Sequence, residues 1–371
     1  MKAAPRLVKP TLDHEPVIKV EGLIKDYIIP APPTRRGLTS SLRAVFATRK
    51  AIRRALEGIS FTVPSGQVLG FIGPNGAGKT TTIKLLTGIL TPTAGTVRLL
   101  GFDPQRDRYR YTYHIGLVFG QRSLLWYDIP VIESLRLYAD IYEIDRAALK
   151  RRLDWFSELL GIGEFLHVPV RKLSLGQRMR AEIAASLLHD PEVLFLDEPT
   201  LGLDAVAKER VRDFLRQVNR EQGTTIILTT HDMTDIEALS DRVLIIDHGR
   251  LIYDGAVEPL KRLDDVRVIQ AELATGADVA AVAASLGDLR EYLAEPGSLT
   301  ERGTAEPGTA EPGTAESGTG PPRLVLRVPR DRSVEAVGRL MAVADLADLS
   351  VQPPRLDAVI RRVYERGVGA G

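Results

Sequence analysis

The segment GPNGAGKTT, from Gly73 to Thr81, constrains the fold of this chain more than any other stretch. It fits the pattern G-x-x-x-x-G-K-[ST] through Gly73, Gly78, Lys79 and Thr80. The near-continuous apolar run QVLGFIG precedes it, and KTTTIKLLTGIL follows with Leu85, Leu86 and Ile89 on one helical face. A strand therefore runs into a glycine-rich turn and leaves through a helix. In such a turn, glycines let backbone N–H groups curl around a phosphate, and the helix N-terminus adds its partial positive charge. Pro74, Asn75, Gly76, Ala77 and Thr81 complete the expected phosphate-binding stretch. Lys79 is expected to reach the outer phosphate oxygens as a point charge, and Thr80 to offer its hydroxyl to Mg2+. A plain glycine-rich strand–helix turn is the bland alternative, and the pattern and its context together argue against it.

A phosphate loop of this kind needs a partner for the metal ion. EVLFLDEP, from Glu192, is an apolar strand that ends in Asp197 and Glu198. An acidic residue at the C-terminal end of a buried parallel strand points into the crevice where open α/β sheets bind ligands. Asp197 is thus the expected Mg2+ partner. Glu198, one residue on, is the candidate base for an attacking water. A single carboxylate there is commonly just a solvated strand end; a pair downstream of such a loop is not.

The rest of the chain to about Asp254 alternates short apolar strands such as TTIILTT (from Thr224) and DRVLIID (from Asp241) with helical stretches. Strands apolar on both faces and separated by helices indicate a mostly parallel, doubly covered sheet. The longest helical insert is expected from Val131 to Leu188. Two segments break the plan. Between Ile28 and Arg54 a Pro-rich loop precedes Leu38, Leu42, Val45, Phe46, Ile52 and Leu56 at roughly helical spacing, with seven basic residues and no acid in the interval. From Gly303 to Gly320 the repeat GTAEPGTAEPGTAESGTG has almost nothing to bury and is expected to be a disordered linker. Around it, strands at DDVRVIQAEL, RLVLRVP and ADLSVQ and helices at Asp278–Leu286, Ser333–Val343 and Leu356–Arg366 predict a small α+β domain.

Composition excludes several classes. A net charge of +1 gives no global drive towards nucleic acid, and none is expected as a partner. There is no cysteine, so disulfides, thiolate metal sites and cysteine nucleophiles are out. The N-terminal stretch lacks the apolar region of a signal peptide, and no run approaches the roughly 20 apolar residues of a spanning helix.

Further motifs narrow the reading. LSLGQ (Leu173–Gln177) lies before the Asp197–Glu198 strand, LGLD (Leu201–Asp204) lies after it, His231 follows the next strand in LTTHD, and Gln121 sits between the phosphate-loop helix and the helical insert. In order and spacing, residues from about Val17 to Leu260 resemble the ATP-binding subunits of ABC transporters. The resemblance implies a P-loop NTPase cassette of the ABC type: a mostly parallel sheet core, an antiparallel β edge and a helical subdomain. The small C-terminal α+β domain is additional. The expected organisation is a tail at 1–16, a cassette at 17–262 with the basic insertion at 28–54 and the helical subdomain at 121–190, and an accessory domain at 263–371 whose linker is 296–321.

By the same resemblance, Tyr27 stacks on adenine; a surface turn residue is the alternative for it. Gln121 joins Mg2+ and water to the loop that faces the membrane partner. Ser174, Gly176 and Gln177 form the signature that caps the γ-phosphate of ATP held by a second subunit, and Asp204 crosses that interface. His231 senses the γ-phosphate. The commonest signature is LSGGQ, and Leu175 replaces its first glycine here, which puts the local packing in question. LSLGQRMR, VFGQRS and the basic insertion together resemble the narrower group of viologen- and daunorubicin-type exporter ATPase subunits. The cofactors implied are ATP and Mg2+. The partners implied are transmembrane permease subunits and a second ATP-binding subunit, at the cytoplasmic face of the cell membrane. A ribosome- or DNA-associated soluble ABC protein and the ATPase of an import system remain alternatives. The basic insertion is read either as an amphipathic helix near anionic lipid or the permease, or as a helix packed on the cassette's own β edge. Trp126 and Tyr127 are read as a partner-facing anchor, with core packing the alternative for Trp126.

Overall fold

The computed structural model describes residues 16–30, 50–119, 123–262, 266–274, 277–293, 322–353 and 356–366. The chain divides into two compact units, with the break between Val257 and Glu258.

In the first unit, β1 (Ile18–Pro30) and β2 (Lys50–Val63) form a long antiparallel pair. β3 (Val68–Ile72) leads through the glycine-rich loop into α1 (Lys79–Leu86), and β4 (Ala94–Leu99) returns to pair with β1. The short α2 (Arg108–Tyr111) precedes β5 (Ile115–Phe119). A helical segment follows: α3 (Val131–Ile141), α4 (Arg146–Leu160) and α5 (Leu175–Ser186). Local chemistry sets these limits. Asp145 caps α4 by accepting from the Ala148 amide, and Gly161 ends it at φ 64°, a conformation that favours glycine. The remaining elements are β6 (Val193–Asp197), α6 (Ala205–Gln222), β7 (Thr225–Thr229), α7 (Met233–Leu239), β8 (Arg242–Asp247) and β9 (Arg250–Ala256).

The main sheet has the order β5-β6-β7-β3-β8-β9, parallel throughout except for β9. Its central strands are apolar on both faces because α1 and the three-stranded sheet β2-β1-β4 cover one side and helices cover the other. The main core lies between them, built from Leu69, Phe71, Phe195, Leu244 and Ile246 of the large sheet, Ile83 and Leu86 of α1, and Val20, Phe61 and Val97 of the small sheet. β3 and β6 therefore end side by side with only β7 between them, and the loops after these three strands share one edge.

The structure corrects the reading of the segment from Ile28 to Arg54. Ile28 and Ile29 continue β1, and Lys50 to Arg54 already belong to β2. Ile52 stands opposite Ile28 and is 72% exposed, while Leu56 is fully buried, so the two do not form the buried stripe of one helix. Long-range pairing overrides the helical spacing here. The alternation of buried Ile59, Phe61 and Val63 sets β2, and the Arg54 guanidinium, which donates to both carboxylate oxygens of Asp26 at 2.8 and 3.1 Å, extends it. Leu38, Leu42, Val45 and Phe46 lie outside the described residues, as do Gln121 and the repeat from Gly303 to Gly320.

In the second unit, α8 (Val257–Arg262), most of which belongs to it, precedes β10 (Val266–Leu273), α9 (Val279–Ser285), β11 (Arg323–Pro329), α10 (Ser333–Val343), β12 (Leu346–Gln352) and α11 (Leu356–Arg366). The strands form an antiparallel sheet of order β11-β10-β12, whose Ile269, Leu324, Leu326 and Val328 pack with Leu286, Leu289 and Leu340. The three strands and three helices expected in this region are present.

Candidate nucleotide site

The site starts where β3 ends. Gly76 at φ 83° and Gly78 at φ 117° turn the loop in conformations that side chains rarely adopt. A Cβ on Gly78 would also lie 2.7 Å from Leu56 Cδ2 and 3.0 Å from the Ala55 carbonyl oxygen, so this glycine is required by conformation and by space. Lys79 opens α1 and is buried; its Nζ donates to the carbonyls of Gly73 at 2.6 Å and Pro74 at 3.2 Å. The ammonium is thus held inside the loop it belongs to. Burial pushes its pKa below the usual lysine value, opposed by the charges of Glu198 and Asp197.

Asp197 closes β6 and faces Thr80, whose hydroxyl donates to it at 3.2 Å; the Thr229 hydroxyl at the end of β7 donates to its other oxygen. A hydroxyl oxygen and a carboxylate at this separation are hard donors of the type Mg2+ takes. Glu198 follows at φ 56°, in the left-handed region, with its backbone amide donating to the Thr229 carbonyl at 2.9 Å. Its carboxylate lies 3.3 Å from His231 Nδ1. A cavity of about 620 Å³ runs from Tyr27 past Asn75, Lys79 and Thr80 to Glu198. Tyr27 sits on β1, not in a turn, with its hydroxyl 3.4 Å from Thr81 Oγ1 and the Lys25 ammonium 5.4 Å from its ring centroid. The cavity therefore offers an aromatic face at one end, a buried cation with backbone N–H groups in the middle, and Thr80 and Glu198 at the other, with Asp197 behind Thr80. That donor set fits a nucleoside triphosphate with a divalent cation.

The signature residues are elsewhere in the unit. Ser174 caps α5 in a reciprocal box with Gln177: the Gln177 amide donates to Ser174 Oγ at 3.2 Å, and the Ser174 amide donates to Gln177 Oε1 at 3.0 Å. A Cβ on Gly176 would meet Ala207 and Leu203 at ordinary contact distance. Leu175 is 44% exposed, and its Cδ2 would stand 2.7 Å from a Cβ on Gly202, which itself has φ 71°. Asp204 caps α6 through the Ala207 amide at 2.8 Å. Ser174, Gly176, Gln177 and Asp204 are not among the residues that line the Tyr27–Glu198 cavity.

Sequence reasoning missed other lining residues, among them Ile29, Arg53, Glu57 and His248. Arg53 stands opposite Tyr27 across the β1–β2 pair, so extending the Ile59–Phe61–Val63 alternation towards the N-terminus was the one available signal. Trp126 is 43% exposed with its ring 5.4 Å from that of Tyr138, and Tyr127 is 60% exposed.

A strand–loop–helix phosphate cradle with a paired strand-end aspartate and glutamate on a mostly parallel sheet defines a P-loop nucleoside triphosphatase. The family model for ABC transporters matches residues 56–201. The chain is 34% identical over 227 residues to the ABC transporter ATP-binding protein NatA of Bacillus subtilis (strain 168), covering 60% of this chain and 92% of that protein. It is 36% identical over 229 residues to the daunorubicin/doxorubicin resistance ATP-binding protein DrrA of Streptomyces peucetius, covering 62% of this chain and 68% of that one. A solved ATP-binding subunit of an ABC transporter superposes with a TM-score of 0.55 at 25% identity, over 67% of this chain and 92% of that one. This chain belongs to the ATP-binding subunits of ABC transporters, and it is an ATPase.

Proposed function

We propose that this chain is the ATP-hydrolysing motor of an ABC exporter, and that two cassettes pair head to tail around two ATP and drive separate transmembrane permease subunits at the cytoplasmic face of the membrane. The observation that carries the dimer is the separation within one subunit: the phosphate cradle and the signature residues Ser174 and Gly176 do not line the same cavity. Each γ-phosphate contact of Ser174 then falls to a second subunit, related by two-fold symmetry.

In this reading Tyr27 stacks on the base, the amides of Gly73 to Gly78 and the Lys79 ammonium hold the phosphates, and Glu198 takes the proton of the attacking water. His231, within reach of the Glu198 carboxylate, orients it and contacts the γ-phosphate. Thr80 and Asp197, with Gln121, are the residues that would hold Mg2+, which when bound neutralises charge on the β- and γ-phosphate oxygens. Hydrolysis removes the phosphate that bridges the subunits, which biases the pair towards the open state. Export is favoured over import by similarity to a protein named for daunorubicin and doxorubicin resistance. No helix among the described residues is long and apolar enough to cross a membrane; in this reading the motion is passed to the permease subunits.

The test is assembly of Glu198→Gln full chain. Saturating ATP should convert it to a dimer in analytical ultracentrifugation, with ADP leaving it as found without nucleotide. A Glu198→Gln chain that stays monomeric in ATP sinks the composite-site reading. Direction is read separately, in inverted vesicles carrying the chain with its permease, where ATP-dependent accumulation of cargo supports export.

A further inference from the structure

Asp235, on α7, is fully buried and has no part in the site built above. Its Oδ2 accepts hydrogen bonds from Thr200 Oγ1 and, at 3.2 Å, from Thr230 Oγ1. Its Oδ1 accepts from Arg212 Nε at 2.7 Å and lies 2.6 Å from a second guanidinium nitrogen. A buried carboxylate is costly unless it is paired and hydrogen-bonded, and this one is satisfied by one guanidinium and two hydroxyls.

The partners come from different segments. Thr200 lies two residues after Glu198, at the start of the turn that leads to Asp204. Thr230 immediately precedes His231, and its hydroxyl also accepts from the Asp232 amide at 3.0 Å. Arg212 is on α6, the helix that Asp204 caps, and Lys208 of the same helix pairs with Asp232 at 2.7 Å. One carboxylate oxygen therefore ties the loop after β6 to the loop after β7, and the other oxygen ties both to α6.

We propose that Asp235 is a positioning residue that couples the Glu198 loop to the His231 loop through the shared Thr200–Asp235–Thr230 bridge. Arg212 carries the constraint into α6 and so to Asp204. The proposal rests on the reading of Glu198 and His231 given above. Because both hydroxyls bind one oxygen, loss of either releases that oxygen to shift towards the other, and the two contacts act as a unit.

A double-mutant cycle on the full chain tests this, with its membrane partner present where hydrolysis requires it. Thr200→Val and Thr230→Val keep side-chain volume and remove one hydroxyl each. Each is expected to lower kcat on the order of tenfold, the low end for one hydrogen bond to a charged group, with KM for ATP unchanged. The double variant should be no slower than the slower single variant, and Thr200→Ser or Thr230→Ser should keep the rate. Losses that multiply in the double variant overturn the proposal, as does wild-type kcat in both single variants. A kcat deficit that disappears when each variant is assayed well below its own melting transition also overturns it, since a merely structural network behaves that way. If a valine variant does not fold, Thr200→Ala and Thr230→Ala carry the same cycle. Wild-type turnover in Glu198→Gln would remove the base assignment instead, and leaves the cycle to be read on its own.

Discussion

His231 Nδ1 and a Glu198 carboxylate oxygen stand 3.3 Å apart although 33 positions separate them in the chain. Each follows the end of a parallel strand, β6 or β7, and those strands are neighbours. The Thr229 carbonyl, two residues before His231, also receives the Glu198 amide, so the two loops are joined by backbone as well as side chain. Glu198→Gln keeps the size and a hydrogen-bonding oxygen but cannot take a proton. It should lower kcat by about 10²–10⁴-fold, the usual worth of a positioned base, in steady-state phosphate release. His231→Ala combined with it should add little further loss, because residues that act as a unit are not additive.

Lys79→Met replaces the buried ammonium by an apolar chain of similar length. ATP affinity should fall roughly 10–100-fold, the worth of hydrogen bonds to a charged group, as read by titration with a fluorescent ATP analogue. The lowered pKa of Lys79 has a sign as well. As pH rises this lysine loses its charge before an ordinary lysine does, so nucleotide affinity should weaken on the alkaline side earlier than in a site held by an exposed lysine. An affinity that is flat until the ordinary lysine range contradicts that.

Tyr27→Ala removes the ring, while Tyr27→Phe removes only the long contact to Thr81. Stacking of a base on an aromatic ring is worth about 1–3 kcal/mol. The alanine variant should therefore bind ATP about 5–150-fold more weakly and the phenylalanine variant close to wild type. Isothermal calorimetry separates them; equal losses would mean that the hydroxyl, not the ring, matters.

His189 supplies the acid side of stability. Its Nε2–H is directed at the Ile115 carbonyl at 2.9 Å, its ring stacks on Tyr142 with centroids 4.0 Å apart, and burial pushes its pKa down to about 4. The unfolded chain takes up this proton below about pH 6.5, and the folded chain does not until about pH 4. Stability should thus be unaffected by this residue above that window and fall as pH drops through it, by about 1–2 kcal/mol between pH 6.5 and pH 5. Urea unfolding of His189→Gln should show a shallower loss over the same range than the wild type.

Much of the site was legible because its chemistry is local. The phosphate loop announces itself through glycines that need unusual φ values between a strand and a helix, and Asp197 through an apolar run that stops at an acid. The second unit was legible for the same reason, since alternation in RLVLRVP and the Asp278 cap of α9 are short-range signals. What the sequence hid was pairing at a distance. Ile52 looks helical until Ile28 is placed opposite it. Arg53 enters the nucleotide cavity only because β2 pairs with β1. Nothing in MTDIEAL sets Asp235 apart, because Thr200, Thr230 and Arg212 are brought around it only by the fold.

Glu198 holds a left-handed φ of 56° at the end of β6, where a glycine would rest without strain. Left-handed backbone costs a side-chain-bearing residue of order 1 kcal/mol. Replacement by glycine should accordingly make the folded chain harder to unfold while silencing it. A library of variants sorted only for thermal stability or soluble yield would be enriched in inactive chains at this position. Heat resistance alone is therefore a misleading criterion when this protein is engineered or when its ancestors are reconstructed.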